Sequence, residues 1–297
     1  MMKKILAIAI LALICLSFLT PVAYALEKAA IIELETRLST ELEENTTPSD
    51  LNDIKNEAPE EVLIPTSDVP AEIEGATYSS DWDYSGEGAP ENWGKLREEY
   101  KLCEVGEMQS PIDLDAVQFK TQTPLDLDYA VTTFEVVNNG HSIQVNYPKG
   151  STATIGEETY ELLQLHFHTP SEHTINGEHA AMEIHLVHTN GAGEMAIIGS
   201  MVEIGEASYE VNKIWQNIPA LGESRRSDLA LNPKGFIPKS LAHATYLGSL
   251  TTPPCSENVN WVVMAEPVTF SQEQIETFQR FYPMDARPIQ RKKSWSY

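Results

Sequence analysis

Two short runs in which apolar and polar side chains alternate constrain the fold of this chain more than any other feature. The first run, LQLHFH (163–168), has the period of a β-strand, in which successive side chains point to opposite faces. Gln164, His166 and His168 therefore share one face of a predicted strand. The opposite face is apolar throughout and is expected to be buried in the core; it carries Leu163, Leu165 and Phe167.

The second run, EIHLVH (183–188), repeats this arrangement. Glu183, His185 and Val187 share one face of the predicted strand. The other face carries Ile184, Leu186 and His188. If the two strands pair with their polar faces on the same side, His185 completes a set of three histidines with the two histidines of the first run.

Three neutral imidazoles are a suitable site for zinc, which prefers four tetrahedral ligands and leaves the fourth position to water in catalytic sites. The other ring nitrogen of each ligand needs an acceptor that fixes its orientation. Gln164 and Glu183 lie on the same strand faces as His166, His168 and His185, and they can supply such acceptors. Ordinary polar histidines at the ends of strands are the alternative that the residue pattern leaves open.

The N-terminal part of the chain has a different composition from the rest. Residues 1–25 combine a basic start, an apolar run and the sequence Ala-Tyr-Ala, which predicts a secretory signal peptide cleaved after Ala25. Residues 26–77 hold 14 acidic and 3 basic residues, no aromatic residue and several prolines. This composition predicts an acidic, partly helical spacer, although a short coiled coil that would make the chain a homodimer is left open.

The sequence pattern of a β-rich globular domain begins at Tyr78. Strand-like runs separated by turn signals dominate residues 78–297, and an Asn-Asn-Gly turn at 138–140 predicts a hairpin. Short helices are predicted over 209–218 and 271–281. We therefore expect one mainly β domain of the α+β class.

Charge and cysteine content restrict the partners and the compartment of the mature chain. The formal net charge of -24 goes against nucleic-acid binding, because phosphates need a basic surface. No run after the signal peptide is apolar enough to span a membrane, so a secreted, periplasmic or cell-surface protein is expected. Cys103 and Cys255 remain after cleavage and predict one disulfide in an oxidising compartment, with two free thiols as the alternative.

Five motifs in register resemble the signatures of the alpha-class carbonic anhydrases, and the resemblance covers about residues 78–297. The motifs are QSPIDL (109–114), LQLHFHTPSEHTING (163–177), EIHLVH (183–188), GSLTTPPCSE (248–257) and RPIQ (287–290). The resemblance implies a single catalytic domain built on a large central, mostly antiparallel β-sheet with short peripheral helices. It also implies the reversible hydration of carbon dioxide to bicarbonate and a proton, by attack of zinc-bound hydroxide.

The resemblance assigns roles to residues by position in these motifs. It implies that His166, His168 and His185 bind Zn²⁺. Gln164 and Glu183 match the residues that orient the zinc ligands in the family. Two further positions match the hydroxide-binding threonine, Thr251, and the carboxylate that orients it, Glu172.

The same resemblance implies a proton shuttle and a substrate pocket. His141 matches the histidine that shuttles protons, and Thr252 matches a neighbour of bicarbonate. The residues that match the water path are Tyr84, Asn139 and Gln144. The residues that match the apolar wall around carbon dioxide are Val187, Ile197, Leu250 and Trp261.

Carbon dioxide and bicarbonate are the implied small-molecule partners, and sulfonamides and anions are the implied inhibitors. Two other classes of function are alternatives to this assignment. A cupin would use the His-x-His-x-x-x-Glu pattern of 166–172 with Glu172 on iron or manganese, but the chain lacks a second cupin motif. A non-enzymatic binding or adhesion module of the same fold typically loses a zinc histidine, whereas this chain retains all three.

Overall fold

Strands form most of the regular structure in the part of the chain that the computed structural model describes, residues 81–115, 119 and 123–291. The predicted signal peptide and spacer lie outside these residues. The strands are β1 (Asp113–Leu114), β2 (Leu125–Asp128), β3 (Thr132–Asn138), β4 (Ile143–Asn146), β5 (Thr152–Ile155), β6 (Glu158–His168), β7 (Thr174–Ile175), β8 (Glu178–His179), β9 (Met182–Thr189), β10 (Met195–Ile204), β11 (Ser224–Leu231), β12 (His243–Ser249), β13 (Glu257–Met264) and β14 (Val268–Phe270).

The helices of the described residues are short and lie outside the sheet path. They are α1 (Trp93–Leu96), α2 (Leu102–Val105), α3 (Tyr209–Trp215) and α4 (Gln272–Gln279), with 3₁₀ turns at Gly86–Gly88, Glu98–Tyr100 and Pro233–Phe236. The helix α4 begins with a capping box, in which Ser271 accepts from the Gln274 amide and Gln274 bonds back to Ser271. Both predicted helices, over 209–218 and 271–281, are thereby confirmed.

One large sheet organises the described residues. Eleven strands belong to it, in the order β11-β3-β4-β6-β9-β10-β13-β12, with β2, β5 and β14 attached at the side. Neighbours pair antiparallel except where β10 runs parallel to β13 and β14. The expected large, mostly antiparallel sheet with short peripheral helices is confirmed.

The two histidine-bearing runs form the adjacent central strands β6 and β9. His166 lies directly opposite His185, and His168 lies opposite Glu183. The predicted pairing of the polar faces is therefore confirmed. On the other side of β6, Gln144 of β4 lies opposite His166.

The prediction that Leu163 belongs to the buried face of β6 is wrong. The register between β6 and β9 shifts between Leu162 and Gln164, so Leu163 is the extra residue of a β-bulge. Leu163 is 40% exposed, whereas Leu162, Leu165 and Phe167 are buried. The bulge breaks the period of two, and Leu162 replaces Leu163 in the core.

The predicted hairpin at 138–140 joins β3 to β4. Gly140 has a φ of 85°, a left-handed conformation that glycine adopts without a Cβ clash. The Asn139 side chain accepts hydrogen bonds from the backbone amides of His141 and Ser142. This turn places His141 two residues before β4, which pairs with the histidine-bearing strand β6.

Two apolar clusters cover the central strands on opposite faces. One packs the helices α3 and α4 against the sheet and includes Leu165, Phe167, Ile184, Leu186, Ile214 and Phe278. The other lies on the side of the histidines and includes Val187, Ile197, Tyr246, Val259 and Trp261. The histidine cluster is therefore held in a sheet that is packed on both sides. In the described part of the chain, no helix has the length and apolar character needed to span a bilayer.

Candidate metal centre

Three histidine side chains from β6 and β9 meet on one face of the sheet. One nitrogen each of His166, His168 and His185 lies within 4.8 Å of the other two. His168 and His185 are almost fully buried, at 1% exposure each. The sequence prediction that these three side chains lie together is confirmed by their positions.

Two of the imidazoles are oriented by the predicted neighbours. His166 Nδ1 lies 2.9 Å from Gln164 Oε1, which leaves its Nε2 for another partner. His185 Nε2 lies 3.0 Å from Glu183 Oε1, which leaves its Nδ1. The contact of His166 is a hydrogen bond and that of His185 is a close contact with a carboxylate outside ideal hydrogen-bond geometry; acceptors in these positions orient a metal-binding imidazole.

The third imidazole is oriented by a group that the sequence did not reveal. His168 Nδ1 donates to the backbone carbonyl of Asp285 at 2.7 Å. His168 Nε2 is buried and has no hydrogen-bond partner among the described residues; Glu172 Oε2, at 3.6 Å, is beyond hydrogen-bond reach. A buried, unpartnered imidazole nitrogen that faces two other histidines fits a metal ligand.

The electrostatics of the cluster keep the imidazoles neutral. Burial lowers the pKa of His168 to about 4 and lowers the pKa of His185. Burial and repulsion from the other two histidines hold the pKa of His166 well below its usual range. Neutral imidazole is the form that binds a metal, and three of them leave the full double charge on Zn²⁺. The donor set therefore fits zinc.

His173, the third histidine of the run 162–173, does not join this cluster. Its Nδ1 bonds Glu183 Oε1 at 2.7 Å, and its backbone amide donates to Glu183 Oε2 at 2.8 Å. Its Nε2 lies 2.6 Å from the Tyr246 hydroxyl, which also bonds Ser110. His173 thus fixes the carboxylate that contacts His185, a role that the sequence pattern did not reveal.

The Glu183 carboxylate lies against Gly199 of β10, at a position where any larger residue would place a side chain. Gly199 of β10 lies opposite His185 in the register of β9 and β10. A Cβ atom at Gly199 would lie 2.8 Å from Glu183 Oε1, closer than carbon and oxygen tolerate. Burial acts to raise the pKa of Glu183, but His173 and His185 hold it well below its usual range.

Glu172 is buried beside the ligand nitrogens. Its Oε2 lies 3.8 Å from His185 Nδ1, and its Oε1 accepts from the Arg287 backbone amide at 2.8 Å. Burial raises the pKa of Glu172 to about 7, while attraction to His185 and a hydrogen bond with the Thr251 side chain act to lower it. The structure therefore brings the predicted pair of Glu172 and Thr251 together.

An apolar wall flanks the histidine cluster. Ile197 of β10 lies between Val187 of β9 and Trp261 of β13 in the sheet register. All three are buried in one cluster, and Leu250 packs against it. The Trp261 indole donates to the Ser249 carbonyl at 2.9 Å, which ties the wall to the segment before Thr251.

His141 lies in the turn between β3 and β4 and stacks on an aromatic side chain. Its ring lies 3.5 Å from the Trp82 ring, centroid to centroid, with 6° between their planes. Trp82 also makes an edge contact with Tyr84, and Asn139 Nδ2 reaches Gln144 Oε1 at 3.5 Å. Burial lowers the pKa of His141, and Asp83 acts to raise it.

A disulfide joins Cys103 to Cys255 across 152 residues of sequence. Cys255 directly follows the segment of Thr251 and Thr252, and its amide donates to the Thr252 carbonyl at 2.9 Å. The predicted disulfide is present, and the alternative of two free thiols is discarded. The covalent link holds the Thr251 loop beside α2.

Comparison with known proteins agrees with this geometry. The model of the eukaryotic-type carbonic anhydrase family matches residues 88–292. The chain belongs to this family. Its enzyme class is therefore that of the carbonic anhydrases, which are lyases that interconvert carbon dioxide and bicarbonate. The family assignment sets aside the cupin alternative, and the curated relatives, which are carbonic anhydrases, set aside the non-enzymatic one.

The matches of this carbonic anhydrase with individual relatives cover most of the length of each relative. A carbonic anhydrase of Klebsiella pneumoniae is 42% identical over 218 residues, 72% of this chain and 88% of the relative. The alpha-carbonic anhydrase of Thermovibrio ammonificans in complex with the inhibitor sulfanilamide superposes with a TM-score of 0.70 at 37% identity, over 72% of this chain and 96% of that one. A carbonic anhydrase of Chlamydomonas reinhardtii in complex with acetazolamide gives 0.63 at 35% identity, over 72% and 96%.

Several residues that hold the site in place were not assigned a role from the sequence. Two act through the backbone, the Asp285 carbonyl and the Arg287 amide, and a backbone group has no residue-type signature. Trp82 and His173 act through side chains. The clustering of His173 with Glu172 was a visible signal, but its partner Tyr246 lies far along the chain.

Proposed function

We propose that this chain catalyses the zinc-dependent, reversible hydration of carbon dioxide to bicarbonate and a proton, with His141 as the proton shuttle. One observation carries the proposal. Three neutral imidazoles converge with their second nitrogens engaged by Gln164, Glu183 and the Asp285 carbonyl, and His168 Nε2 is buried without a partner among the described residues.

The ligand atoms follow from these contacts. The nitrogens left for Zn²⁺ are Nε2 of His166, Nε2 of His168 and Nδ1 of His185. When bound, Zn²⁺ would lower the pKa of a coordinated water to about 7 and supply hydroxide near neutral pH, an effect for which carbonic anhydrase is the standard case.

The protein side chains around the cluster provide orientation and binding. The Thr251 hydroxyl donates to Glu172, so its lone pair is left to accept a hydrogen bond from the attacking oxygen. Carbon dioxide is apolar and is held against the wall of Val187, Ile197 and Trp261, which needs no polar partner. Leu250 completes this wall, and Thr252 contacts the product bicarbonate.

His141 carries the proton away from the site. Its ring is half-buried in the turn between β3 and β4 and stacks on Trp82. Imidazole is the side chain whose ordinary pKa is closest to neutral, which suits a relay between the site and buffer. Tyr84, Asn139 and Gln144 line the proposed water path between the histidine cluster and His141.

The location and the inhibitors of the enzyme are part of the same proposal. The signal sequence of residues 1–25 and the Cys103–Cys255 disulfide support a mature enzyme, beginning with the spacer of 26–77, that works outside the cytoplasm. The complexes of two relatives with sulfanilamide and acetazolamide support inhibition by sulfonamides. Inorganic anions are expected to inhibit the enzyme at the same site as the sulfonamides.

Substitution of the proposed ligands tests the function directly. His166→Ala, His168→Ala and His185→Ala should each lose bound zinc and nearly all hydration activity, because zinc would keep only two of its three protein ligands. Metal analysis of the purified protein and a stopped-flow carbon dioxide assay measure both quantities. The matched control is His179→Ala, on the exposed strand β8. Full activity in any one ligand variant would refute the ligand assignment.

A further inference from the structure

The segment that follows α4 holds two groups of the metal centre although it has no regular secondary structure. The Asp285 carbonyl accepts from His168, and the Arg287 amide donates to Glu172 at 2.8 Å. A strand or helix would fix such backbone groups by its own hydrogen bonds. Here other contacts must hold them in place.

Asp285 supplies the first of these contacts. Its amide donates to the Thr169 carbonyl at 3.0 Å, and its carboxylate accepts from the Thr169 amide at 2.7 Å. These bonds tie the segment to the residue after His168. They do not extend to the Arg287 amide, which needs an anchor of its own.

The Arg287 side chain supplies that anchor. Arg287 is 1% exposed, and its guanidinium donates to the Ser110 carbonyl at 2.7 Å and to the Cys103 carbonyl at 3.1 Å. It also lies 5.7 Å from the centroid of the buried Trp93 ring. Burial of a charged group is costly unless the group is hydrogen-bonded, and these two bonds to carbonyls fix the side chain, while its Nε has no partner among the described residues.

We propose that Arg287 is a positioning residue for the pair of Glu172 and Thr251. Its guanidinium, fixed on the Ser110 and Cys103 carbonyls, sets the position of its own backbone amide, and that amide holds the Glu172 carboxylate. The disulfide holds the loop that carries Thr251. Cys103 takes part in both contacts, since its sulfur forms the disulfide and its carbonyl accepts from Arg287. This inference rests on the proposed function, in which Glu172 orients Thr251.

A purely structural role of Arg287 would stabilise the domain and do nothing more. The two roles are separated with Arg287→Met, which has no guanidinium, and Arg287→Lys, which keeps a charge but lacks the planar fork that reaches two carbonyls. The control is Ile275→Val, which removes one methyl group from a buried residue of α4. Each variant is made in the full chain, loaded with zinc, and its zinc affinity is measured by chelator competition.

The decisive measurement is a double-mutant cycle with Thr251→Ala. Arg287→Met should lower kcat/KM for carbon dioxide hydration by about 10-fold or more, as a misplaced orienting group does, with the zinc affinity unchanged within about 2-fold. Arg287→Lys should lie between Arg287→Met and the unsubstituted protein. In the Thr251→Ala background, Arg287→Met should cost less than about 2-fold, because the group it acts through is already lost.

The same loss in both backgrounds, or a kcat/KM in Arg287→Met equal to that of Ile275→Val, would overturn the proposal. If Arg287→Met does not fold, Arg287→Lys completes the same cycle.

Amide hydrogen exchange tests the inference without reference to activity. Exchange in a peptide covering 283–290 should be faster in Arg287→Met or Arg287→Lys than in the unsubstituted protein, and unchanged in Ile275→Val. Unchanged protection in both Arg287 variants would overturn the proposal. An unsubstituted protein that binds zinc but does not hydrate carbon dioxide would instead contradict the proposed function, and the exchange data would still decide the role of Arg287.

Discussion

Each histidine of the metal centre has one nitrogen engaged by a neighbour, and the chemical type of that neighbour differs. His166 uses the neutral amide of Gln164, His168 uses a backbone carbonyl, and His185 uses the carboxylate of Glu183. An anionic acceptor makes an imidazole a stronger donor to a metal than an amide does. The three proposed ligands are therefore not equivalent.

At the scale of single residues, His141 provides the test that separates proton export from the rest of the chemistry. His141→Ala should lower kcat by about 10-fold or more in weak buffer, while kcat/KM and bound zinc change little. The reason is that the role proposed for His141 is proton export, which follows release of bicarbonate, whereas the proposed zinc ligands and the apolar wall are made of other residues. Steady-state hydration at pH 7 to 8 with added imidazole measures the effect.

The rescue experiment makes the His141 prediction specific. Small imidazole buffers should restore part of the rate in His141→Ala, because they can replace the missing base. His179→Ala is the control, and it should keep its kcat in the same weak buffer. An unchanged kcat in His141→Ala, or loss of its zinc, would show that His141 is not the shuttle.

At the scale of elements, the disulfide joins α2 to the loop that carries Thr251. Replacing both cysteines, Cys103→Ser with Cys255→Ser, should lower the free energy of unfolding by roughly 4–5 kcal/mol on a chain-entropy estimate for a loop of this size. The separation of 152 residues is what makes the estimate large. Activity should fall as well, since the loop is less well held.

Chemical denaturation and hydration assays of the double serine variant measure both effects. Reduced, unsubstituted protein is the matched control, because it breaks the same bond without changing a residue type. An unfolding midpoint equal to that of the oxidised protein in both samples would show that the bond does not stabilise this domain.

The alternating pattern of β6 and β9 was sufficient to predict that the three histidines lie together, because a period of two determines which side chains share a face. It failed at Leu163, where a bulge inserts one residue, since a bulge depends on the partner strand and has no signal in β6 alone. The order of the eleven strands was not predicted, and only the large, mostly antiparallel sheet was expected, through the family resemblance. Pairings such as β10 with β13 join distant segments, and local sequence cannot specify them.

At the scale of the whole molecule, one buried histidine outside the metal centre should make stability depend on pH. Burial lowers the pKa of His188 to about 4, and its Nε2 bonds the Tyr129 hydroxyl at 2.8 Å. The ordinary value of 6.5 applies in the unfolded chain. Between these values the unfolded state binds a proton that the folded state does not, so stability falls as pH drops from about 6.5 toward 4.

The size of this effect follows from the difference between the two pKa values. It amounts to a loss on the order of 2 to 3 kcal/mol by pH 4.5. His188→Gln should be less stable at pH 7, because the packing and the bond to Tyr129 change, yet it should lose less stability between pH 7 and 4.5. Denaturation at several pH values measures the slope, with His179→Gln as the control. Equal slopes in His188→Gln and the unsubstituted protein would contradict the assignment.

The boundary of the catalytic domain is a prediction that two truncations can test. A chain that begins at Tyr78 should fold and hydrate carbon dioxide at a similar rate, because the acidic composition of residues 26–77 and their position before the first family motif mark them as a spacer. The truncated chain that begins at Tyr78 keeps Trp82, whose ring contacts both His141 and Trp93.

A chain that begins at Ser85 is the matched control, since it lacks only seven residues more, among them Trp82 and Tyr84. Its thermal midpoint should fall, because the buried Trp93 loses the aromatic rings of Trp82 and Tyr84 that pack against it at 5.2 Å and 5.7 Å. Its kcat in weak buffer should fall too, since His141 loses the ring on which it stacks. Thermal unfolding and hydration kinetics of the two chains measure the difference. If the chain that begins at Tyr78 does not fold, residues before it belong to the catalytic domain.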